Sequence, residues 1–457
     1  MDLNPDDQVL LAVALANEAE IQYDDALQQM LAYTRKMERT RRRRRRRQRR
    51  SCWVRSWLTE EERHDHSHYY NIVQKLKNEE PNIFQNYMRM PGQLFDEILD
   101  RIRHRIVGEG SNYRTSLEPG LKLALTLRHL ATGDQYPSMA FNYRVSKSAI
   151  HYIVPKVCKA IIAEYRDEVF KTPSTPAEWK HVAAEFERRW QVPHALGALD
   201  GKHVKIRQPV NSGSEYWCVY KHCYSIILMA LVDSDYKFIW ADTGGIGHQS
   251  DAQIFNSSSL KEQFDNGTIG VPEVEAVERV AEGEEHGDAK KLPYFMLGDD
   301  AFALRTYMMK PWAKRNMTKE ELIYNYRISR GRRVVENAFG IMANRWRCLL
   351  TVLNQAPDVV QDIVECCIVL HNLLRLRNPE VQNVELDQHD ANGNILPGSW
   401  RQGVNVGDGL AGPPAAHNRD TAAAKQQRQY LQEYFNAVGR GAVAWQDAMV
   451  TLRPDAQ

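Results

Sequence analysis

The pattern of apolar and polar positions divides the chain into a helical first part and a second part in which strands and helices alternate. Residues 69–106 and 121–162 carry apolar side chains at spacings of three and four, which predicts packed amphipathic helices. From residue 195 onward, short apolar runs bounded by glycine and aspartate predict strands. The strand runs are separated by helical patterns, among them predicted helices over 252–264 and 304–309. The sequence therefore predicts an α/β fold preceded by an all-helical region.

The later half of the helical region has the character of a helix-turn-helix. A helix over 121–130 is ended by Gly133, a short helix follows over 136–143, and Ser146 is placed to cap a third helix. Such a third helix can present its first turn to the major groove of DNA. The residues that would do so are Ser146, Lys147, Ser148 and His151. Plain helical packing is the competing interpretation of the same pattern.

The first strand of the second part carries a lone carboxylate. In residues 195–206, ALGALDGKHVKI, an apolar run delivers Asp200 and Gly201 follows at once. Alternate residues of a strand share a face, so Asp200 and Lys202 should point the same way. Gly201 would let a backbone or a phosphate approach closely. Taken alone, such an aspartate is more often a turn or capping residue than a catalytic one.

A second run repeats this arrangement. Residues 294–302, YFMLGDDAF, place Asp299 and Asp300 after an apolar strand and a glycine. Because both runs end in acids, we expect the two strand ends to contribute to one site.

A third carboxylate lies on a predicted helix within residues 329–347, SRGRRVVENAFGIMANRWR. Glu336 lies beside an apolar stripe, and Arg332 and Arg333 fall on its own face. Carboxylates are ligands for Mg²⁺ or Mn²⁺, and arginines bind phosphodiesters. The set suits phosphoryl chemistry with two metal ions. The residues expected to bind the DNA backbone are Arg330, Arg332, Arg333 and Lys202.

Four blocks of the sequence, LDGKHVKI, GHQSDAQIF, LGDDAF and RRVVENAFG, resemble in order those of the PIF/Harbinger DDE transposases and the nucleases derived from them. The resemblance covers about residues 53–374. It implies an RNase H-like core in which Asp200, Asp299 and Glu336 are the catalytic acids and hold two Mg²⁺ (or Mn²⁺) ions. Asp299 is preferred to Asp300 because the block places its ligand directly after the glycine.

The resemblance also implies a substrate and partners. The expected activity is cleavage of transposon-end DNA and strand transfer into target DNA, by a homo-oligomer on DNA that works with a Myb-like accessory DNA-binding protein. Two alternatives stay open: a domesticated nuclear DNA-binding, adaptor or nuclease protein without transposition, and an RNase H-type ribonuclease. Asp251, in the second block, matches an acidic position of the family. It could contact metal or DNA, but a helix N-cap is the simpler interpretation.

The charge of the chain is concentrated in one segment. The net charge is +2, but ten arginines lie between Arg39 and Arg50, so the remainder carries −8. The run consists of Arg41, Arg42, Arg43, Arg44, Arg45, Arg46, Arg47, Arg49 and Arg50. Such a run predicts a nuclear-import signal, and a clamp on the DNA backbone is compatible with it. We expect the protein in the nucleus.

The remaining features bound the class of protein. Seven cysteines without metal-ligand spacing, and the lack of a signal peptide, indicate reduced intracellular thiols. No apolar run is long enough for a membrane helix. We expect a disordered basic arm over 1–52, a helical region over 53–172, a catalytic domain over 173–382 with an acidic insertion at 271–290, and a flexible linker with a C-terminal helix over 383–457.

Overall fold

The computed structural model describes residues 54–108, 115–277, 291–314, 316–379 and 420–451, with short pieces within 30–37 and 388–398. The arginine run and most of the acidic insertion lie outside the described residues. The chain forms two compact units, Met1–Thr59 and Glu60–Gln457. The first contains a 3₁₀ helix at Ser56–Leu58. The elements named below belong to the second unit, and the domain boundaries stay predictions.

The first part of the second unit is helical, as the apolar spacing predicts. A π-helical turn at Tyr69–Val73 lies between its first two α-helices. The helices are α1 Glu60–His66, α2 Gln74–Glu79, α3 Pro81–Met88, α4 Gly92–Ile106, α5 Pro119–Thr132, α6 Tyr136–Tyr143, α7 Lys147–Val169 and α8 Pro176–Trp190.

The three helices α5, α6 and α7 follow the predicted helix-turn-helix pattern. Gly133 ends α5 with a φ of 74°, a left-handed conformation that glycine adopts without strain. The Ser146 hydroxyl accepts a hydrogen bond from the Ala149 amide at 3.3 Å and so caps α7. The positions of the helices are therefore confirmed. Helix α7 continues to Val169, well beyond the first turn that was expected to face DNA.

A mixed sheet forms the centre of the second part. The strands of this part are β1 Ala195–Lys205, β2 Trp217–Cys218, β3 Cys223–Val232, β4 Phe238–Ile246, β5 Glu275–Ala276, β6 Lys291–Leu292, β7 Phe295–Leu297 and β8 Met308–Met309. The order in the sheet is β4–β3–β1–β7–β8, and β2 pairs with the start of β3. The strands β4, β3 and β1 are antiparallel, whereas β1, β7 and β8 are parallel. Two-stranded pairs are formed by β5 with β6, and by β9 Gln388–His389 with β10 Ile395–Leu396.

The remaining helices are α9 Asp251–Ser257, α10 Ser259–Asp265, α11 Lys319–Arg345, α12 Pro357–Arg377, α13 Ala422–Asn436 and α14 Gln446–Thr451. The single helix predicted over 252–264 is wrong, because Ser258 ends α9 and caps α10. The helix predicted over 304–309 is also wrong. Met308 and Met309 are buried as β8, where parallel pairing with β7 outweighs the local preference.

Each face of the sheet is covered by different helices. One face carries Leu199 and Met229 and packs against apolar residues of α8, α9 and α10. Along β1 the side chains alternate, so Asp200 and Lys202 lie on the other face. There α11 crosses β1, β3 and β7. Gly331 permits this approach, because a Cβ there would lie 2.6 Å from the Leu297 Cδ1 atom.

Membrane-spanning helices and the state of the cysteines can be examined in the described residues. None of the helices found there is long and apolar enough to cross a membrane. All cysteines in those ranges are free thiols, and most are buried. Cys366, Cys367 and His371 pack within α12 in the core.

Candidate active site

Parallel pairing of β1 with β7 brings two of the predicted acids side by side. Asp200 is half-buried in β1, opposite Ala230 of β3. On its other side, Ala198 pairs with Leu297, the last residue of β7. The chain then continues as Gly298-Asp299 beside Leu199-Asp200. The Asp299 carboxylate accepts a hydrogen bond from the Ala301 amide at 3.0 Å, which fixes it at the strand end.

The third predicted acid reaches the same place from α11. Glu336 is half-buried, and its carboxylate lies 2.6 Å from the Arg332 guanidinium, one turn earlier on the helix. Arg332 also interacts electrostatically with Asp200 and Asp299. Burial alone would lower the pKa of Arg332, but the surrounding carboxylates raise it above its ordinary value. This arginine therefore supplies positive charge among the three acids.

Asp251 joins the site as a fourth carboxylate. The simpler interpretation of this residue as the helix N-cap is wrong, because Ser250 caps α9 and completes a capping box with Gln253. Asp251 is instead the first residue of α9, and its carboxylate lies directly over Gly201. A Cβ at Gly201 would lie 2.2 Å from Asp251 Oδ1. The absence of a side chain at Gly201 is what makes room for this acid.

The three aspartates of the site have raised pKa values. Burial raises the pKa of Asp200 to about 8, and repulsion from Asp251, Asp299 and Glu336 adds to this rise while Arg332 opposes it. Burial and the neighbouring Asp299 raise the pKa of Asp251 to about 6. The pKa of Asp299 is also raised, chiefly by burial. The site holds more negative charge than its surroundings stabilise, a condition that bound cations relieve.

The donor set fits hard divalent ions, which prefer carboxylate oxygens. Across the ranges that the structure describes, however, no three His, Cys, Asp or Glu side chains are already arranged as a metal-binding group. One physical reason for this absence is the ion pair between Glu336 and Arg332, which holds the Glu336 carboxylate against α11. We therefore expect Glu336 to leave Arg332 when ions bind.

Lysines border the acids on both faces of β1. Lys202, on the same face as Asp200, places its Nζ atom 5.9 Å from the centre of the Phe339 ring. Burial, with a contribution from Lys221, lowers the pKa of Lys202 to about 8. On the other face, burial and the same two lysines lower the pKa of His203 to about 4. Lys221 was not singled out from the sequence, since only the fold brings its turn beside Asp251.

The predicted DNA-binding arginines separate into two groups. Arg332 and Arg333 are half-buried on the side of α11 that bears Glu336. Arg330 is only 5% exposed, and the structure corrects its assignment. Its guanidinium donates hydrogen bonds to the Trp190 carbonyl and the Gln191 side chain, and lies 4.6 Å from the Trp445 ring centre. The Arg330 guanidinium is thus used in internal packing and is too buried to bind a phosphate.

The other predicted residues lie outside the carboxylate cluster. Asp300 is exposed beyond Asp299. Lys147, Ser148 and His151 are exposed on the first turns of α7, whereas Ser146 is half-buried as its cap. They form a separate surface of the helical region, and their contact with DNA stays a prediction.

Two strand ends and a crossing helix thus bring acidic side chains together beside the sheet. Residues 199–372, which include all four acids, match the family model described as DDE superfamily endonuclease. This chain thus carries a DDE superfamily endonuclease domain, and its relatives are consistent with a PIF/Harbinger-type DDE nuclease.

The relatives are distant. "Protein antagonist of like heterochromatin protein 1" of Arabidopsis thaliana is 21% identical over 311 residues, which cover 66% of this chain and 76% of the relative. "Protein ALP1-like" of the same plant is 20% identical over 325 residues, with 68% and 76% covered. "Putative nuclease HARBI1" of Homo sapiens is 24% identical over 261 residues, with 56% and 68% covered. No solved structure matches the chain significantly.

Proposed function

We propose that the protein is a transposase of the PIF/Harbinger type, which cleaves transposon-end DNA and joins it to target DNA. The observation that carries the proposal is the convergence of Asp251, Asp299, Glu336 and Arg332 on Asp200. The strand order, with three antiparallel and two further parallel strands, supports an RNase H-like core.

The carboxylates are proposed to hold two Mg²⁺ or Mn²⁺ ions, which would supply activation of a water or 3′-hydroxyl and stabilisation of the leaving oxygen. Asp200, Asp299 and Glu336 are the proposed catalytic ligands, and Asp251 a fourth. Arg332, once released from Glu336, and Arg333 are proposed to bind the scissile phosphate. Lys202 adds positive charge on the same face and keeps the DNA strand close to Asp200.

DNA is the proposed substrate because the chain carries two further groups of residues suited to binding it. The first turn of α7 presents Lys147, Ser148 and His151 for groove contacts. The run at 41–50 supports nuclear import and backbone binding. A homo-oligomer on DNA and a Myb-like accessory protein are further parts of the proposal, and they rest on the family alone.

Cleavage of terminal-repeat DNA with Mg²⁺ or Mn²⁺ tests the proposal, with a Myb-like partner supplied. We expect wild-type protein to nick the DNA and Asp200→Asn and Glu336→Gln to lose nearly all cleavage. Asp300→Asn is the matched control, because this exposed neighbour of Asp299 should be dispensable. Equal cleavage by wild type and the two acid variants, or none by wild type, would overturn the assignment.

A domesticated nuclear DNA-binding or adaptor role is the second candidate. It is favoured by the match to "Protein antagonist of like heterochromatin protein 1", whose name refers to chromatin rather than to transposition. Under this alternative the protein would bind DNA, yet Asp200→Asn would leave its cellular activity unchanged.

A further inference from the structure

A short hairpin stands beside the acidic cluster and is not used by the mechanism above. It comprises β2, a turn at residues 219–222 and the start of β3, and we call it the 217–224 hairpin. Cys218 pairs with Cys223 across it, and Trp217 pairs with Tyr224. The rings of that second pair meet edge to face at 5.0 Å between centroids. The base of the hairpin is therefore stiffened by an aromatic contact.

The segment that carries Asp251 also holds this hairpin in place. The His248 ring contacts the Glu215 carbonyl through Nδ1 at 2.7 Å. Gly247 passes so close that a Cβ there would lie 2.2 Å from the Tyr216 carbonyl oxygen. Because Asp251 follows within a few residues, the hairpin and the fourth carboxylate are positioned by one stretch of backbone. Lys221 of the turn is close enough to interact electrostatically with both Asp251 and Lys202.

The turn has a composition that packing does not explain. Val219 is 68% exposed and Tyr220 is 50% exposed, although both are large and apolar. Lys221 and His222 are exposed next to them. An aromatic ring beside cations is the combination that binds single-stranded nucleic acid, because bases stack on the ring and the backbone is attracted by the charge. A duplex with paired bases offers no free base face to such a ring.

We propose that the turn of the 217–224 hairpin binds an unpaired nucleotide of the DNA strand that enters or leaves the carboxylate site, with the base stacked on Tyr220. Lys221 contacts the phosphate of that nucleotide, and Val219 fills the space at the edge of the base. This inference rests on the proposed nuclease function, because the strand is identified by the position of the hairpin next to the acids.

The test compares two DNA probes in buffer without divalent ions, so that cleavage cannot contribute. One is a short blunt duplex, and the other is the same duplex with a single-stranded tail that contains 2-aminopurine. We expect wild-type protein to bind the tailed probe more tightly and to quench the fluorescence of the tail. Tyr220→Ala should weaken binding to the tailed probe about 5- to 150-fold, as expected for loss of one stacked base, and leave the blunt probe unaffected. Tyr220→Phe should retain both the preference and the quenching.

Tyr152→Ala is the matched control, because Tyr152 is also an exposed tyrosine but lies on α7. It should change the affinity for both probes by the same factor. Equal binding of the two probes by wild type, or an unchanged preference in Tyr220→Ala, overturns the hairpin proposal while metal-dependent cleavage still stands. If wild type binds neither probe, the hairpin proposal and the DNA substrate fall together.

Discussion

Substitution of Gly201 by alanine tests the contribution of Asp251 most directly. The new Cβ would lie 2.2 Å from Asp251 Oδ1 and 2.6 Å from its Cγ. Real Cβ contacts are not found below 3.0 Å, so the carboxylate must retreat by about 1 Å. A displacement of about 1 Å in a catalytic group can reduce the rate about 100-fold. We therefore expect Gly201→Ala to fold and to lose about two orders of magnitude in cleavage.

The assay is Mg²⁺-dependent nicking of a terminal-repeat plasmid, with the melting temperature measured in parallel. Gly92→Ala is the control, because the nearest atom to its Cβ is Lys77 Cγ at an ordinary 3.4 Å. A double-mutant cycle gives the decisive comparison: in an Asp251→Ala background, Gly201→Ala should cost almost nothing further. Full activity of Gly201→Ala, or an equal loss in both backgrounds, would refute the proposed role of Asp251.

Three further outcomes are expected. The folded state keeps the proton of Asp200 up to about pH 8, whereas the unfolded chain releases it near 3.8, so metal-free wild type loses stability as the pH rises between these values. Asp200→Asn should therefore have a higher melting temperature than wild type at pH 8 but not at pH 4. Added Mg²⁺ should raise the melting temperature of wild type only. Identical melting curves of the two proteins at both pH values would contradict this. Arg330→Ala should lower the free energy of unfolding, measured by urea denaturation, by about 2–3 kcal/mol through loss of its buried hydrogen bonds. Arg333→Ala should instead weaken DNA binding and leave the free energy of unfolding unchanged. Deletion of residues 41–50 should abolish nuclear accumulation of a fluorescent fusion, and an unchanged distribution would remove the import assignment.

Local signals account for the parts of the fold that were predicted well. Gly133 and Ser146 bound their helices through backbone conformation and capping, effects that act within a few residues. The strand that carries Asp200 was also readable from its apolar run. Met308 and Met309 show the limit, because their strand exists only through pairing with β7. The same limit applies to Arg330, whose burial depends on Trp190 and Trp445 from distant parts of the chain.

The sequence by itself determined the candidate acids, since Asp200, Asp299 and Glu336 stand out by residue type, by their flanking apolar runs and by the family blocks. Only the tertiary structure decided how they meet: parallel pairing of β1 with β7 aligns the two aspartates, and Gly331 lets α11 approach with Glu336 and Arg332. Only it placed Asp251 over Gly201, beside the turn that holds Lys221. The reason is physical: a side chain's identity is local, whereas its neighbours across a sheet are set by strand register and helix packing.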